Sequence, residues 1–455
     1  MKFSWINGSS CRFGDDLVGT LRVISFQPAD ARKSGVRHPA LSAALVLCLL
    51  ALPTVCLAGD LFAEPVSYGV GLAPWSVAIE DLNGDGDPDL AVANNESDNI
   101  GILLNHGDGT FGWQTTYGAA DGPVCVAIDD LDGDDDADLA VANWRSNNVS
   151  ILLNDGDGTF APQATYGVGA APWSLALADL DGDGDPDLAV TNYDGGNVSV
   201  LLNNGNGTFA APATYGVKIN PYGIASADLD GDGDVDLAVA NFGSNDVSVL
   251  LNNGNATFAA HVAYAAGTGP VSIASADLDD DADADLAAAN FMGGSVSVLL
   301  NDGDATFATQ VPYAVGTMPF SVAIEDLDGD GAADLGTANY GSHDVSILLN
   351  DGDGTFALEG TYASSEFPTC IAFKDLDADG DADMAVTSAD ASAVLIFLNQ
   401  SGVPGDLDGD GDVDLSDLAI LLASYGIDDG GDIDGDGDTD LTDLAILLSH
   451  YGEGA

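Results

Sequence analysis

Between residues 59 and 399, short apolar runs alternate with clusters of Gly, Asp and Asn, and the whole pattern returns every 49 residues without insertion or deletion. In the third copy the runs are Phe160 to Tyr166, Pro172 to Leu180, Asp187 to Asn192 and Asn197 to Asn203. Each is alternating or β-branched and bounded by turn formers, the pattern of four antiparallel strands. An aspartate followed by an apolar residue marks each copy, at Asp81, Asp130, Asp179, Asp228, Asp277, Asp326 and Asp375. A period of this length with strand-like content predicts propeller blades. The expected fold is therefore an all-β seven-bladed propeller of four-stranded antiparallel blades.

Two further positions keep the same period. Tyr68, Tyr117, Tyr166, Tyr215, Tyr264, Tyr313 and Tyr362 are expected to pack between blades. Pro74, Pro123, Pro172, Pro221, Pro270, Pro319 and Pro368 are expected to begin the innermost strands, where a missing N–H is tolerated. The last copy stops after Ala393 to Leu398, whereas Phe62 stands 49 residues before Phe111. Asp60 to Tyr68 therefore reads as the outer strand of the last blade, closing the ring and removing an exposed edge.

A different pattern follows a linker at 400–405. Leu418, Leu421, Leu422 and Tyr425, then Leu444, Leu447, Leu448 and Tyr451, recur at helical spacing and predict two short amphipathic helices. Together they make a small all-α domain, 406–455, whose core needs a further staple.

Charge narrows the function classes. The 455 residues carry 74 acids and 9 bases, and six of the bases precede residue 40, leaving 71 acids against three bases from Gly59 onward. Such a chain repels phosphate backbones and anionic lipid, which excludes nucleic-acid binding and peripheral membrane binding and favours multivalent cations. Arg32 to Arg37 precede an apolar run, Leu41 to Leu57, and the small Ala58, so 1–58 reads as an export leader cleaved after Ala58. An uncleaved anchor is the competing reading, since the run nears the length of a membrane span; Pro53 and Ala58 favour cleavage. Localisation is then secreted or cell surface. Only Cys125 and Cys370 remain in the mature chain, too few for a disulfide framework.

The candidate chemistry sits between the first and second strand of each copy, in D-x-[DN]-x-D-G-x-x-D. The oxygen-bearing positions one, three, five and nine are Asp81, Asn83, Asp85 and Asp89 in the first copy. In the next three they are Asp130, Asp132, Asp134 and Asp138; Asp179, Asp181, Asp183 and Asp187; and Asp228, Asp230, Asp232 and Asp236. The last three hold Asp277, Asp279, Asp281 and Asp285; Asp326, Asp328, Asp330 and Asp334; and Asp375, Asp377, Asp379 and Asp383. One such cluster is ordinarily a turn, but seven with oxygens at all four positions predict sites for a hard cation, calcium rather than the stricter magnesium. The sixth position is Asp135 in blade two and Ala282 in blade five instead of Gly, which predicts the weakest sites there. In the C-terminal segment, Asp406, Asp408, Asp410, Asp414 and Asp417 recur as Asp432, Asp434, Asp436, Asp440 and Asp443. These match positions one, three, five, nine and twelve of an EF-hand loop, with the backbone oxygens of Asp412 and Asp438 at position seven. Up to nine calcium ions are expected.

With these loops, residues 60–399 resemble the FG-GAP or VCBS repeat family, the seven-bladed propeller of integrin α-subunits and many exported bacterial proteins. The resemblance implies that the backbone oxygens of Asp87, Asp136, Asp185, Asp234, Asp283, Ala332 and Asp381 also bind calcium. Residues 406–451, with Asp at position twelve and no entering helix, resemble a type I dockerin, which implies a cohesin-like partner.

No catalytic constellation recurs, so no enzyme is expected. Calcium is expected on one face; on the other lie Trp144, Tyr193, Phe242, Phe291 and Tyr340, and, at the start of the innermost strands, Trp75, Trp173, Tyr222 and Phe320. These rings suit stacking on sugars or anchoring a protein, and equally suit packing between blades. The expected function is a non-catalytic recognition module for a glycan or an extracellular protein; a dockerin-recruited polysaccharide hydrolase or lyase is the alternative.

Overall fold

A computed structural model describes residues 61–400 and 415–424, with Leu444 and Leu447. The leader, its cleavage point and the acidic loops around Asp406 to Asp414 and Asp432 to Asp443 lie outside the described residues. Among the described residues, twenty-eight strands, β1 to β28 in chain order, form seven separate four-stranded sheets. The first blade contains β2 (Pro74–Glu80), β3 (Asp89–Asn94), β4 (Asn99–Leu103) and β5 (Thr115–Gly118), paired antiparallel in that order. The next five repeat it. The predicted run from Phe160, read as the first strand of the third copy, is instead the outer edge of the second blade: a lone bridge, Asn154 with Phe160, and then a strand at Ala164–Gly167 paired with Asn148–Leu152.

The ring closes as the truncated last copy implied. The seventh blade joins β26 (Pro368–Lys374), β27 (Asp383–Ser388) and β28 (Ala393–Phe397) to β1 (Val66–Gly69) from the other end of the propeller. Val66 pairs with Ile396 and Gly69 with Ala393. Phe62 bridges to Asn399, and the Gln400 amide donates to the Leu61 carbonyl at 3.0 Å.

Apolar residues on both faces of each sheet pack against two neighbours. One cluster joins Leu82, Ile100 and Ile102 of blade one to Val126, Leu139 and Phe160 of blade two. The second strands, such as Asp-Leu-Ala-Val-Ala-Asn in β3, are buried at every residue; their alanines allow sheets to approach near the axis. The periodic tyrosines pack between blades as expected. Tyr117 meets Phe160 edge-on at 5.1 Å and donates to the Gly158 carbonyl at 3.2 Å.

A second period clamps the blades together. Asn154, buried in blade two, donates through Nδ2 to the Leu82 carbonyl of blade one at 2.8 Å and to the Ala137 carbonyl of its own blade at 2.9 Å. Asn105, Asn203, Asn252, Asn301, Asn350 and Asn399 make the equivalent cross-blade bond.

The prolines begin the innermost strands, each followed by a register shift against its partner strand. That irregularity turns Ser76, Cys125, Ser174, Gly223, Ser272, Ser321 and Cys370 into a central channel of about 140 Å³. Cys125 and Cys370 are unbridged, and burial pushes the Cys125 thiol up to about 11.

In the C-terminal segment one helix, α1 (Leu415–Ser424), is described. Leu421 and Leu447 are buried together, with Leu418 and Leu444 packed against them. Leu422, expected on the same stripe, is instead 56% exposed.

Candidate metal loops and the aromatic face

The acidic loops are built by their own side chains. In blade three, Asp179 Oδ1 accepts from the amides of Gly182 and Asp183, and Oδ2 from that of Gly184. Asp183 Oδ1 accepts from Asp185 N. Positive φ at Gly182 and Gly184 lets the chain curl around the first carboxylate. The sixth-position exceptions take the same conformation, with φ of 69° at Asp135 and 73° at Ala282. The fourth position is left-handed too, at Asp280 and Ala378, a strain that the loop pattern did not predict. Blade five thus carries two side chains in a region that glycine prefers.

The side-chain positions of each loop lie close together, position five beside position three. In blades two to six, one carboxylate oxygen from each of positions one, three and nine lies within 4.8 Å of the others. The fifth-position aspartates, Asp85, Asp134, Asp183, Asp232, Asp281, Asp330 and Asp379, are exposed and turned to the backbone of position seven. Position nine is buried in all seven blades. Asp187 Oδ1 accepts from Asn203 N at 2.7 Å and Oδ2 from Leu180 N at 3.2 Å, tying the loop to the end of the third strand.

Burial first, then neighbouring carboxylates, raises these acids. Asp138 and Asp383 are pushed up to about 7, and Asp89, Asp187, Asp236, Asp285 and Asp334 to about 6, despite two amide donors each. Asp132, Asp181, Asp230, Asp279 and Asp328 at position three are raised for the same reasons, and Asp377 to about 6. Oδ1 of Asp132, Asp181, Asp230, Asp279 and Asp377 is buried without a hydrogen-bond partner. A buried carboxylate oxygen with no donor, beside two more carboxylates, is an arrangement that a cation satisfies. An all-oxygen donor set fits a hard one.

The turns between third and fourth strands share the face of these loops. A Cβ on Gly107 would stand 2.7 Å from Asp87 Oδ2. The opposite face is aromatic. Trp75 meets Trp173 at 5.5 Å and Phe320 at 5.4 Å, while Tyr222 meets Trp173 at 4.4 Å and Phe320 at 5.8 Å. These four rings pack on one another across the axis, neither free nor simply between adjacent blades. Smaller Val124, Val271 and Thr369 occupy the corresponding positions in the other three blades and leave them room.

A second tier surrounds this plug: Trp144 and Tyr193 against Trp173, Phe242 against Tyr222, Phe291 and Tyr340 against Phe320. Each tier residue is fixed by its amide, which donates to the residue preceding a proline, as Trp144 N does to Gly122 O at 2.9 Å. The tier is broken in blades one and seven, where Asn95 and Ala389 stand in place of rings. There a cavity of about 310 Å³ opens beside Trp75, Trp144, Trp173 and Tyr340. Glu96, Arg145 and Asp390 bring charge to its wall, residues that the aromatic pattern did not single out. Arg145 is held by Asp121 at 3.5 Å and Asn95 Oδ1 at 3.3 Å, and lies 5.7 Å from the Trp144 ring centre.

This architecture of repeated acidic loops on a closed seven-bladed ring is a repeat propeller. The chain belongs to the FG-GAP-like repeat family, which matches residues 81–141, 130–190, 179–239, 228–288, 277–337 and 326–386. No curated protein matches it in sequence. Among solved structures it is similar to BBS1N in complex with ARL6DN, at 15% identity and TM-score 0.56, over 75% of this chain and 98% of that one. It is also similar to virginiamycin B lyase from Staphylococcus aureus, at 14% identity and TM-score 0.52, over 73% and 98%. A lectin from Agrocybe aegerita that recognises non-reducing terminal N-acetylglucosamine matches at 20% identity and TM-score 0.46, over 74% and 98%. At these identities the likeness concerns the fold alone.

Proposed function

We propose that the protein is an exported, non-catalytic recognition module whose propeller is held by calcium and whose ligand enters the axial cavity on the aromatic face. The observation that carries this reading is the cavity beside Trp75, Trp144, Trp173 and Tyr340, where the second tier is interrupted. Flat rings with an arginine, a glutamate and an amide at the edge suit a glycan or an extended protein segment with both apolar and hydrogen-bonding surfaces. Calcium, held by positions one, three, five and nine with the seventh-position backbone oxygen, supplies counter-charge that fixes the loops. The C-terminal acidic duplication supports a dockerin-like role and a cohesin-like partner, and the leader supports export. The alternative is a recruited polysaccharide hydrolase or lyase, for which Glu96 and Asp390 in the cavity wall would have to supply the acid and base.

The test is a glycan array probed with the calcium-loaded protein and with Trp144→Ala. Trp144 is 37% exposed, so its removal should leave folding intact while weakening ligand binding by about 1 to 3 kcal/mol. Unchanged binding with a lowered melting temperature would assign the ring to packing alone. Product release from a bound glycan would favour the enzyme.

A further inference from the structure

Blade one departs from its copies at three positions of one turn, and the three departures meet. Where the corresponding turns carry Asp155, Asn204, Asn253, Asp302 and Asp351, blade one has His106. Where they carry alanine, from Ala161 to Ala357, it has Gly112, and where they carry Pro162, Ala211, Ala260, Thr309 and Leu358, it has Trp113. His106, Gly112 and Trp113 together line a cavity of about 410 Å³ at the outer seam of the ring, whose other wall is β1, with Ser67 and Tyr68. Trp113 is 97% exposed. A Cβ on Gly112 would stand in ordinary contact with His106 Cε1 at 3.8 Å, space that the glycine leaves open beside the imidazole.

Packing does not account for this group. An indole left almost wholly in water contributes little to folding, and the other turns close with small or aliphatic residues at its place. We propose that this seam cavity is a second binding site, separate from the axial one, for a neutral pyranose unit of a saccharide. Its volume falls in the range of small-ligand pockets. The lining holds no carboxylate, in a chain with 74 acids, so nothing in it selects a cation, while the overall charge repels an anion. What remains is a flat apolar ring face, an imidazole, the two hydroxyl-bearing side chains Ser67 and Tyr68, and backbone groups next to two glycines. That set matches a sugar ring, whose C–H face stacks on indole and whose hydroxyls both donate and accept.

The experiment is calorimetric titration of the calcium-loaded full chain with cellohexaose, xylohexaose and mannohexaose, repeated on Trp113→Ala, His106→Asp and Trp144→Ala. The proposal expects at least one saccharide to bind, with affinity about tenfold or more lower in Trp113→Ala. His106→Asp, which restores the residue of three of the other turns, should weaken the same event, whereas any change in Trp144→Ala reports on the axial cavity. Melting temperatures should be unchanged in Trp113→Ala because the ring is exposed. Binding lost only in Trp144→Ala would place the sugar at the axial cavity and overturn the seam site, as would the absence of binding to all three saccharides.

Discussion

Replacing Asp187 by Asn separates what the ninth position does for the backbone from what it does for a cation. Its two carboxylate oxygens accept from Asn203 N and Leu180 N. An asparagine keeps the first bond, but its amide faces Leu180 N–H, a loss of about 0.5 to 1.5 kcal/mol. Against this, the substitution removes a charge that burial disfavours. The carboxyl stands at about 6 instead of 3.8, a difference of about 3 kcal/mol at full weight and about 1 to 2 kcal/mol once solvent screening of this part-hydrated loop is allowed for. In metal-free protein the two effects nearly cancel. With calcium at 100 to 1,000 times its dissociation constant, losing that one site removes about 3 to 4 kcal/mol. Urea unfolding of wild type and Asp187→Asn, each dialysed metal-free and each in millimolar calcium, measures the difference. Equal destabilisation in both conditions would refute calcium at this loop. The same shifts fix the sign of the pH dependence. A folded-state value raised to about 6 or 7 stabilises below the unfolded value of 3.8, and that contribution is lost as pH rises through the folded value. Metal-free protein should therefore melt higher at pH about 5 than about 7.5, whereas calcium-loaded protein, whose ligands must be ionised, should show the reverse.

Two more outcomes follow from the geometry. A chain starting at Gly71 lacks β1 and leaves the edge of β28 unpaired, so it should aggregate or melt well below the intact protein, whereas a chain ending at Gln400 should keep the propeller's transition; equal melts by circular dichroism would contradict the closure. Asp280→Gly and Ala282→Gly remove side chains from left-handed positions and should each stabilise blade five by about 1 kcal/mol and tighten its metal site, measured by calcium titration; weaker binding would show that the loop conformation does not limit it.

Much of this protein was legible because its information is local and repeated. The blade number follows from the seven evenly spaced aspartates, the closure from a missing strand at one end and a spare one at the other, and the inter-blade role of the tyrosines from strict periodicity. Each is a property of one unit or of its copying. The Asn105 to Asn399 series was equally periodic, yet its use as a clamp needed the neighbouring carbonyl, which only blade packing supplies. Within the metal loops the alternation of carboxylates announced a cluster, but the burial of position nine, tied by its two oxygens to the end of the third strand, came from the way the blade packs. The aromatic face was least determined. Trp75 and Phe320 stand five copies apart and meet at 5.4 Å because a closed ring brings every first strand to one axis. Which rings reach across depends on what the other blades leave empty there: Val124, Val271 and Thr369. Whether Trp144 borders a cavity depends likewise on Asn95 and Ala389 two positions around the ring, since size complementarity across an axis is set by packing and has no period in the chain.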